Sequence, residues 1–215
     1  YSVEIYGVAT LQSGSIVAGQ VVTAIIPNNY FINAEGLFTG RTIRVLTDKN
    51  SVVYAYITRS AVSGATVCLP TPVLGKEYYS ANFTQISNEP NSNSYFTIIA
   101  VEDNTSVEIT PAANTVNGWL AGNTYTVNMN KGQIYQVMGT VSANTGVDLT
   151  GSYIRSISSA GGSCKKIAVF SGSGKISIGC DNPGTSDNLY QQLYPTGSWG
   201  LKYLTVPSYN RPNNY

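Results

Sequence analysis

The stretch Phe96-Thr97-Ile98-Ile99-Ala100-Val101 runs through Glu102-Asp103-Asn104-Thr105 into Val107-Glu108-Ile109-Thr110. Two runs rich in β-branched residues, each alternating every second position, are separated by a cluster of turn-forming polar residues. That is the signature of a strand, a turn and a second strand. The same pattern recurs at 3–6, 21–26, 43–46, 52–57, 125–129 and 134–138, with turn clusters at Asn130-Lys131-Gly132 and Asn182-Pro183-Gly184. Short strands at this spacing predict an all-β, sandwich-like architecture. Helical turns are predicted only near Thr71-Pro72-Val73-Leu74 and over 187–193. In the latter, Leu189 and Leu193 share a face at i, i+4, and Ser186 or Asp187 could cap the start.

Several landmarks occur twice and in the same order. Ala18-Gly19-Gln20-Val21-Val22 is answered by Lys131-Gly132-Gln133-Ile134-Tyr135, and Gly40-Arg41-Thr42-Ile43-Arg44 by Gly151-Ser152-Tyr153-Ile154-Arg155. Leu69-Pro70 is answered by Tyr194-Pro195, and Gly75-Lys76-Glu77-Tyr78-Tyr79 by Gly200-Leu201-Lys202-Tyr203, after one growth in spacing between 155 and 194. Preserved order with one insertion predicts two tandem β-sandwich-like halves related by internal duplication, 1–92 and 93–215. The first half begins mid-strand at Tyr1-Ser2-Val3. The tail from Ser208 to Tyr215 reads like the polar connector after Gly75, cut short, so a piece of a longer chain with neighbouring domains is expected.

Charge is sparse and balanced, 12 Lys+Arg against 11 Asp+Glu and 11% charged residues in all, without a long run of one sign. Phosphate-backbone binding needs a concentrated basic patch, so no nucleic-acid partner is expected. No stretch reaches the roughly 20 apolar residues of a membrane helix, so no membrane insertion is expected either.

Histidine is absent. Ser/His/Asp and Cys/His nucleophilic arrangements and His-containing zinc sites are therefore excluded, and neither a Cys-x-x-Cys pair nor a P-loop pattern occurs. Carboxylate pairs remain, but Glu102 and Asp103 are adjacent and would face opposite ways on a strand. No enzymatic activity, cofactor or metal is expected. The available calcium clusters, Asp103 with Asn104, Asp148, and Asp181 with Asn182 and Asp187, match no calcium-loop signature and read better as turn and cap residues.

Three cysteines are informative by position. The run 166–179 reads as a hairpin turning at Gly172-Ser173-Gly174, with Cys164 and Cys180 flanking it. Folding there would set the two opposite each other, which predicts a Cys164 to Cys180 disulfide and an oxidising compartment; two reduced strand cysteines are the plain alternative. Cys68 reads as a small buried hydrophobe. Among the 16 tyrosines and two tryptophans, Trp199, Tyr190, Tyr194 and Tyr203 are the candidate recognition residues. Tyrosine is also an ordinary strand residue, so only Trp199 beside Gly200 stands out. Asn82-Phe83-Thr84 and Asn104-Thr105-Ser106 fit the N-glycosylation pattern.

Taken together, Leu74-Gly75-Lys76-Glu77-Tyr78-Tyr79, Ile99-Ala100-Val101-Glu102-Asp103-Asn104-Thr105-Ser106-Val107-Glu108-Ile109-Thr110-Pro111, Asp148-Leu149-Thr150-Gly151-Ser152-Tyr153-Ile154, Ile167-Ala168-Val169-Phe170-Ser171-Gly172 and Asp187-Asn188-Leu189-Tyr190-Gln191-Gln192-Leu193-Tyr194-Pro195 with Trp199-Gly200 resemble the IgG-Fc-binding-protein N-terminal domain family. The resemblance runs from about Gly40 to Tyr203. It implies a secreted protein of the kind found in animal mucus or in large Bacteroidota surface proteins exported by the type IX route, some similar to gliding or biofilm adhesins. Cys164 with Lys165-Lys166 resembles the bacterial branch. The family's opening Gly-Thr-Asp/Glu-Phe-Trp strand is not present before Tyr1, and Fc binding has no residue-level motif to carry over. The expectation is a non-catalytic extracellular or cell-surface adhesion module that recognises a protein or glycan through loops and Tyr-rich faces. A glycan-binding accessory module and a structural stalk or filament repeat are the alternatives.

Overall fold

A computed structural model describes residues 1–60, 62–159, 162–178 and 186–206. In chain order the strands are β1 (Ser2–Ile5), β2 (Ala9–Ser13), β3 (Gly36–Phe38), β4 (Ile43–Leu46), β5 (Val53–Arg59), β6 (Val62–Cys68), β7 (Glu77–Tyr79) and β8 (Gln85–Ile86). They continue as β9 (Ser94–Ala100), β10 (Thr105–Thr110), β11 (Tyr125–Met129), β12 (Ile134–Met138), β13 (Val141–Ser142), β14 (Thr145–Gly146), β15 (Tyr153–Ile157), β16 (Ile167–Ile176) and β17 (Asp187–Gln192). The described helical structure is three single 3-10 turns, at Asn28–Tyr30, Thr71–Val73 and Thr196–Ser198. The protein is all-β, as the alternation predicts.

Two antiparallel sheets carry the core, a five-stranded one in the order β17-β16-β9-β12-β3 and a four-stranded one in the order β11-β10-β15-β7. Along β9 burial alternates at every residue, so Phe96, Ile98 and Ala100 point inward. They meet Tyr78, Val107, Ile109, Met129 and Ile154 from the facing sheet in one continuous core. Burying a large apolar side chain stabilises by about 1.5–3 kcal/mol, and this layer is where those contributions concentrate. Tyr78 is the polar exception: its hydroxyl donates to the Ile167 carbonyl at 2.7 Å and accepts the Gly75 N–H at 2.9 Å. The buried oxygen is thereby satisfied.

Smaller sheets close the ends. The β2-β1-β4 sheet docks where Tyr6 covers the β11–β12 turn, and a Cβ on Gly132 would fall 2.0 Å from that ring. The side chain of Thr42 donates to the Gly132 carbonyl at 3.0 Å. At the opposite margin the β5–β6 hairpin folds over β17: the Gln192 N–H donates to Thr66 Oγ1 at 2.9 Å, and the Ser63 N–H to Asp187 Oδ1 at 2.6 Å.

Four expectations are corrected. Residues 166–179 are not a hairpin, because 167–176 is one continuous strand, β16, between β9 and β17. Gly172 is there because β17 passes so close that a Cβ would lie 1.8 Å from the Leu189 carbonyl oxygen; a glycine inside a strand can mark close approach rather than a turn. The turn at Gly172-Ser173-Gly174 that motivated the Cys164 to Cys180 disulfide is therefore not there. Cys164 is a half-buried free thiol, as is Cys68, while Cys180 lies outside the described residues. The 187–193 helical turn is instead β17, since Asp187, Leu189 and Gln191 each pair with a β16 residue in a ladder.

The third correction is the duplication, which the structure does not show. Ile43 lies on an outer strand of the three-stranded sheet and is 47% exposed, whereas Ile154 is inside the four-stranded sheet and fully buried. Both large sheets mix strands from either side of position 92. What repeats is local: Gly19, Gly132, Gly40 and Gly151 all have positive φ, so the paired landmarks share a glycine turn rather than equivalent strands. Fourth, the strand expected at 21–26 has no ladder; the backbone there makes no hydrogen bond to another backbone group among the described residues.

Candidate functional site

The outer face of the four-stranded sheet carries the candidate site. In β7 Tyr78 faces the core, so Glu77 and Tyr79 face outward; in β15 Ile154 faces the core, so Tyr153 and Arg155 do the same. The register sets Tyr153 beside Tyr79 and Arg155 beside Glu77 on one side and beside Glu108 of β10 on the other. The tyrosine rings lie 5.0 Å apart, and Trp199 extends the row with its ring 6.0 Å from Tyr79. Trp199 reaches this place because Pro195, at the head of the Thr196–Ser198 turn, sits on Gly75, where a Cβ would meet the proline at 2.2 Å. The indole Nε1–H donates to the Tyr194 carbonyl at 3.3 Å, and the residue is 56% exposed.

Polar groups order the neighbourhood of this row. The Tyr153 hydroxyl donates to Glu77 Oε1 at 2.6 Å, which raises the tyrosine pKa, and Arg155 Nε donates to Glu108 Oε2 at 2.7 Å, which raises that of the guanidinium. These exposed contacts contribute little to stability but fix where the hydrogen-bonding groups stand. At the far end of the same face an open polar cleft of about 340 Å³ is lined by Asn104, Ser106, Asn128, Met129, Asn130 and Ser159. The face thus runs from an aromatic end whose rings are tilted against one another, past an ordered row of charges, to an amide-rich hollow.

Of the residues nominated from sequence, Trp199 joins the row. Tyr203 stays close to it, its hydroxyl accepting the Gly200 N–H at 2.6 Å, and Tyr194 is exposed on the same connection. Tyr190 goes elsewhere: it is half-buried, stacked on Phe170 at 5.6 Å, and burial pushes its hydroxyl pKa upward, followed by smaller effects of Cys68 and Tyr95. Sequence reasoning missed Tyr79 and Tyr153. The signal for Tyr79 lay in the Tyr78-Tyr79 pair, of which alternation must expose one, but the register with Tyr153 is a long-range property.

The acids serve local structure. Asp103 accepts the Lys131 N–H at 3.0 Å, Asp148 the Thr150 N–H at 2.8 Å, and Asp187 also that of Asn188 at 2.8 Å. Asp181 and Asn182 lie outside the described residues. Of the two glycosylation patterns, Asn82 has its amide nitrogen committed, donating to the carbonyls of Tyr95 at 2.8 Å and Gly172 at 2.6 Å.

An all-β module with an aromatic outer face is the class these observations define. A family model described as IgGFc binding protein matches residues 64–215, more than two thirds of the chain, and the chain belongs to that family. Neither a curated protein nor a solved structure matches it.

Proposed function

We propose that this chain is a non-catalytic recognition module of a large secreted or cell-surface bacterial protein, acting in adhesion or surface assembly, with its neighbouring domains on the same chain. The observation that carries the reading is the contiguous row Trp199, Tyr79 and Tyr153 on an open sheet face. Aromatic rings, two of them tied down by hydrogen bonds to the Tyr194 carbonyl and the Glu77 carboxylate, supply contact area at little cost in side-chain entropy. The family description supports binding as the activity. Immunoglobulin Fc is not the ligand we infer, because nothing in the row singles it out.

Beads coated with the chain and scored for retention on mucin-coated against bare glass provide the test. Trp199→Ala with Tyr79→Ala should lower retention to background while leaving unfolding unchanged. Retention equal to that of the wild type would remove the row from the adhesive surface. A glycan ligand is the second reading, favoured by the Glu77, Arg155 and Glu108 row next to the aromatic rings. Glycan-array binding lost in Trp199→Ala would select it over a protein ligand.

A further inference from the structure

The segment 21–26, Val21-Val22-Thr23-Ala24-Ile25-Ile26, has the composition of a strand and the exposure of a loop. Val21 is 91%, Ile25 79% and Val22 38% exposed and Thr23 is exposed too, whereas Ala24 and Ile26 are half-buried, so the segment presents apolar surface to solvent. Its backbone has no backbone partner among the described residues. The positive-φ turn at Gly19 bounds it on one side and Pro27, which cannot donate to a ladder, on the other. No charged residue occurs between Glu4 and Glu35. Exposed strand-like segments are normally guarded by lysine, proline or a bulge within them, and 21–26 contain neither lysine nor proline.

The same chain carries a matching acceptor. Strand β5 pairs with β6 on one side only, and its other edge makes no ladder among the described residues. It is seven residues long, uncharged until Arg59, and presents Tyr54 and Tyr56 outward, both more exposed than buried. Six donor residues match the six uncharged residues Val53 to Thr58 of the acceptor, and aromatic residues beside β-branched ones are favourable cross-strand neighbours. We propose that 21–26 of one copy adds as a strand to the β5 edge of a second copy. The contact is heterologous, because each copy offers one donor and one acceptor, so it propagates into chains rather than closing a dimer. It involves neither Trp199 nor Tyr79, so its failure leaves the adhesion reading intact.

Sedimentation of the 215-residue chain at concentrations up to about 100 μM, where contacts of roughly −5 to −6 kcal/mol become populated, provides the test. The wild type should form species larger than a dimer as concentration rises. A donor variant, Val21→Lys with Ile25→Lys, and an acceptor variant, Tyr54→Lys with Tyr56→Lys, should each be monomeric alone yet form a one-to-one heterodimer when mixed. A monomeric wild type, or a mixture that stays monomeric while both variants retain the wild-type unfolding midpoint, would overturn the proposal. Dimerisation of the acceptor variant by itself would also do so, since it would mean that donors pair with one another. Should the acceptor variant fail to fold, a free peptide spanning 18–28 should still break wild-type assemblies down to monomers, and its having no effect at excess would equally count against the proposal.

Discussion

Strand β9 and the segment 21–26 share a run of β-branched and small residues, to which β9 adds Tyr95 and Phe96, yet the fold uses them in opposite ways. β9 lies inside the five-stranded sheet with β12 and β16 on its two edges, and its buried positions alternate without a break. Residues 21–26 join no ladder among the described residues. Alternation therefore specifies a face, while a partner edge must come from elsewhere in the chain or from another molecule. The sharpest way to break the comparison is to truncate its buried side. Phe96→Ala should cost about 3–5 kcal/mol, a large part of the stability of a typical domain. The urea midpoint should fall by a corresponding amount at constant slope, and a loss below about 1 kcal/mol would show that the β9 face is not packed as described.

A second, smaller effect separates two glycines in one strand. At Gly172 a Cβ would meet the Leu189 carbonyl oxygen at 1.8 Å, whereas at Gly174 the first contacts are at 3.9 Å. Gly172→Ala must push β17 away from β16 and should cost about 1–3 kcal/mol, the usual range for overpacking. Gly174→Ala should be close to neutral or slightly stabilising through the unfolded chain. Equal costs in parallel urea titrations would mean that β17 does not press on Gly172.

That pair also shows what could be read from sequence. Periodicity found β1, β4, β5 and β9 to β12, because each is a local pattern of two-residue alternation. It misread 166–179, because Gly172-Ser173-Gly174 has the composition of a turn while its glycine answers to a strand remote in sequence. The 187–193 segment was misassigned for a related reason: Leu189 and Leu193 fit helical spacing, but pairing with β16 overrides local preference. At the candidate site, Trp199 was legible as an isolated tryptophan beside glycine. Tyr79 and Tyr153 were not, since their adjacency is created by the β7–β15 register.

The half-buried tyrosines on and beside β9 make it sensitive to alkali in a way the open segment cannot be. Burial pushes the Tyr95 hydroxyl pKa up to about 12, above the ~10 of an unfolded tyrosine. The folded chain thus holds this proton where the unfolded chain has released it. Its contribution is fully present below about pH 10 and is lost as pH rises towards the folded value. Tyr190 shifts in the same direction, also through burial. Urea midpoints should be insensitive to these groups near neutrality and fall above about pH 10, with Tyr95→Phe reducing the alkaline slope. A variant with the wild-type slope would mean that the Tyr95 hydroxyl is not enclosed.

The smallest expected effect is the most discriminating one for the open segment. In β9 every inward side chain is held by the facing sheet, so its removal is felt throughout the core. At Val21 and Ile25 the side chains stand in water in the isolated chain and have nothing to lose on truncation. Val21→Thr with Ile25→Thr keeps β-branched shape and backbone preference while removing apolar surface. In dilute solution the double variant should unfold within about 0.5 kcal/mol of the wild type, as surface substitutions do. A loss of several kcal/mol measured at a concentration where the chain is monomeric would place these side chains in an intramolecular core, and the contrast with β9 would disappear. An unchanged midpoint would leave the segment with the composition of a strand and no stabilising role within its own fold.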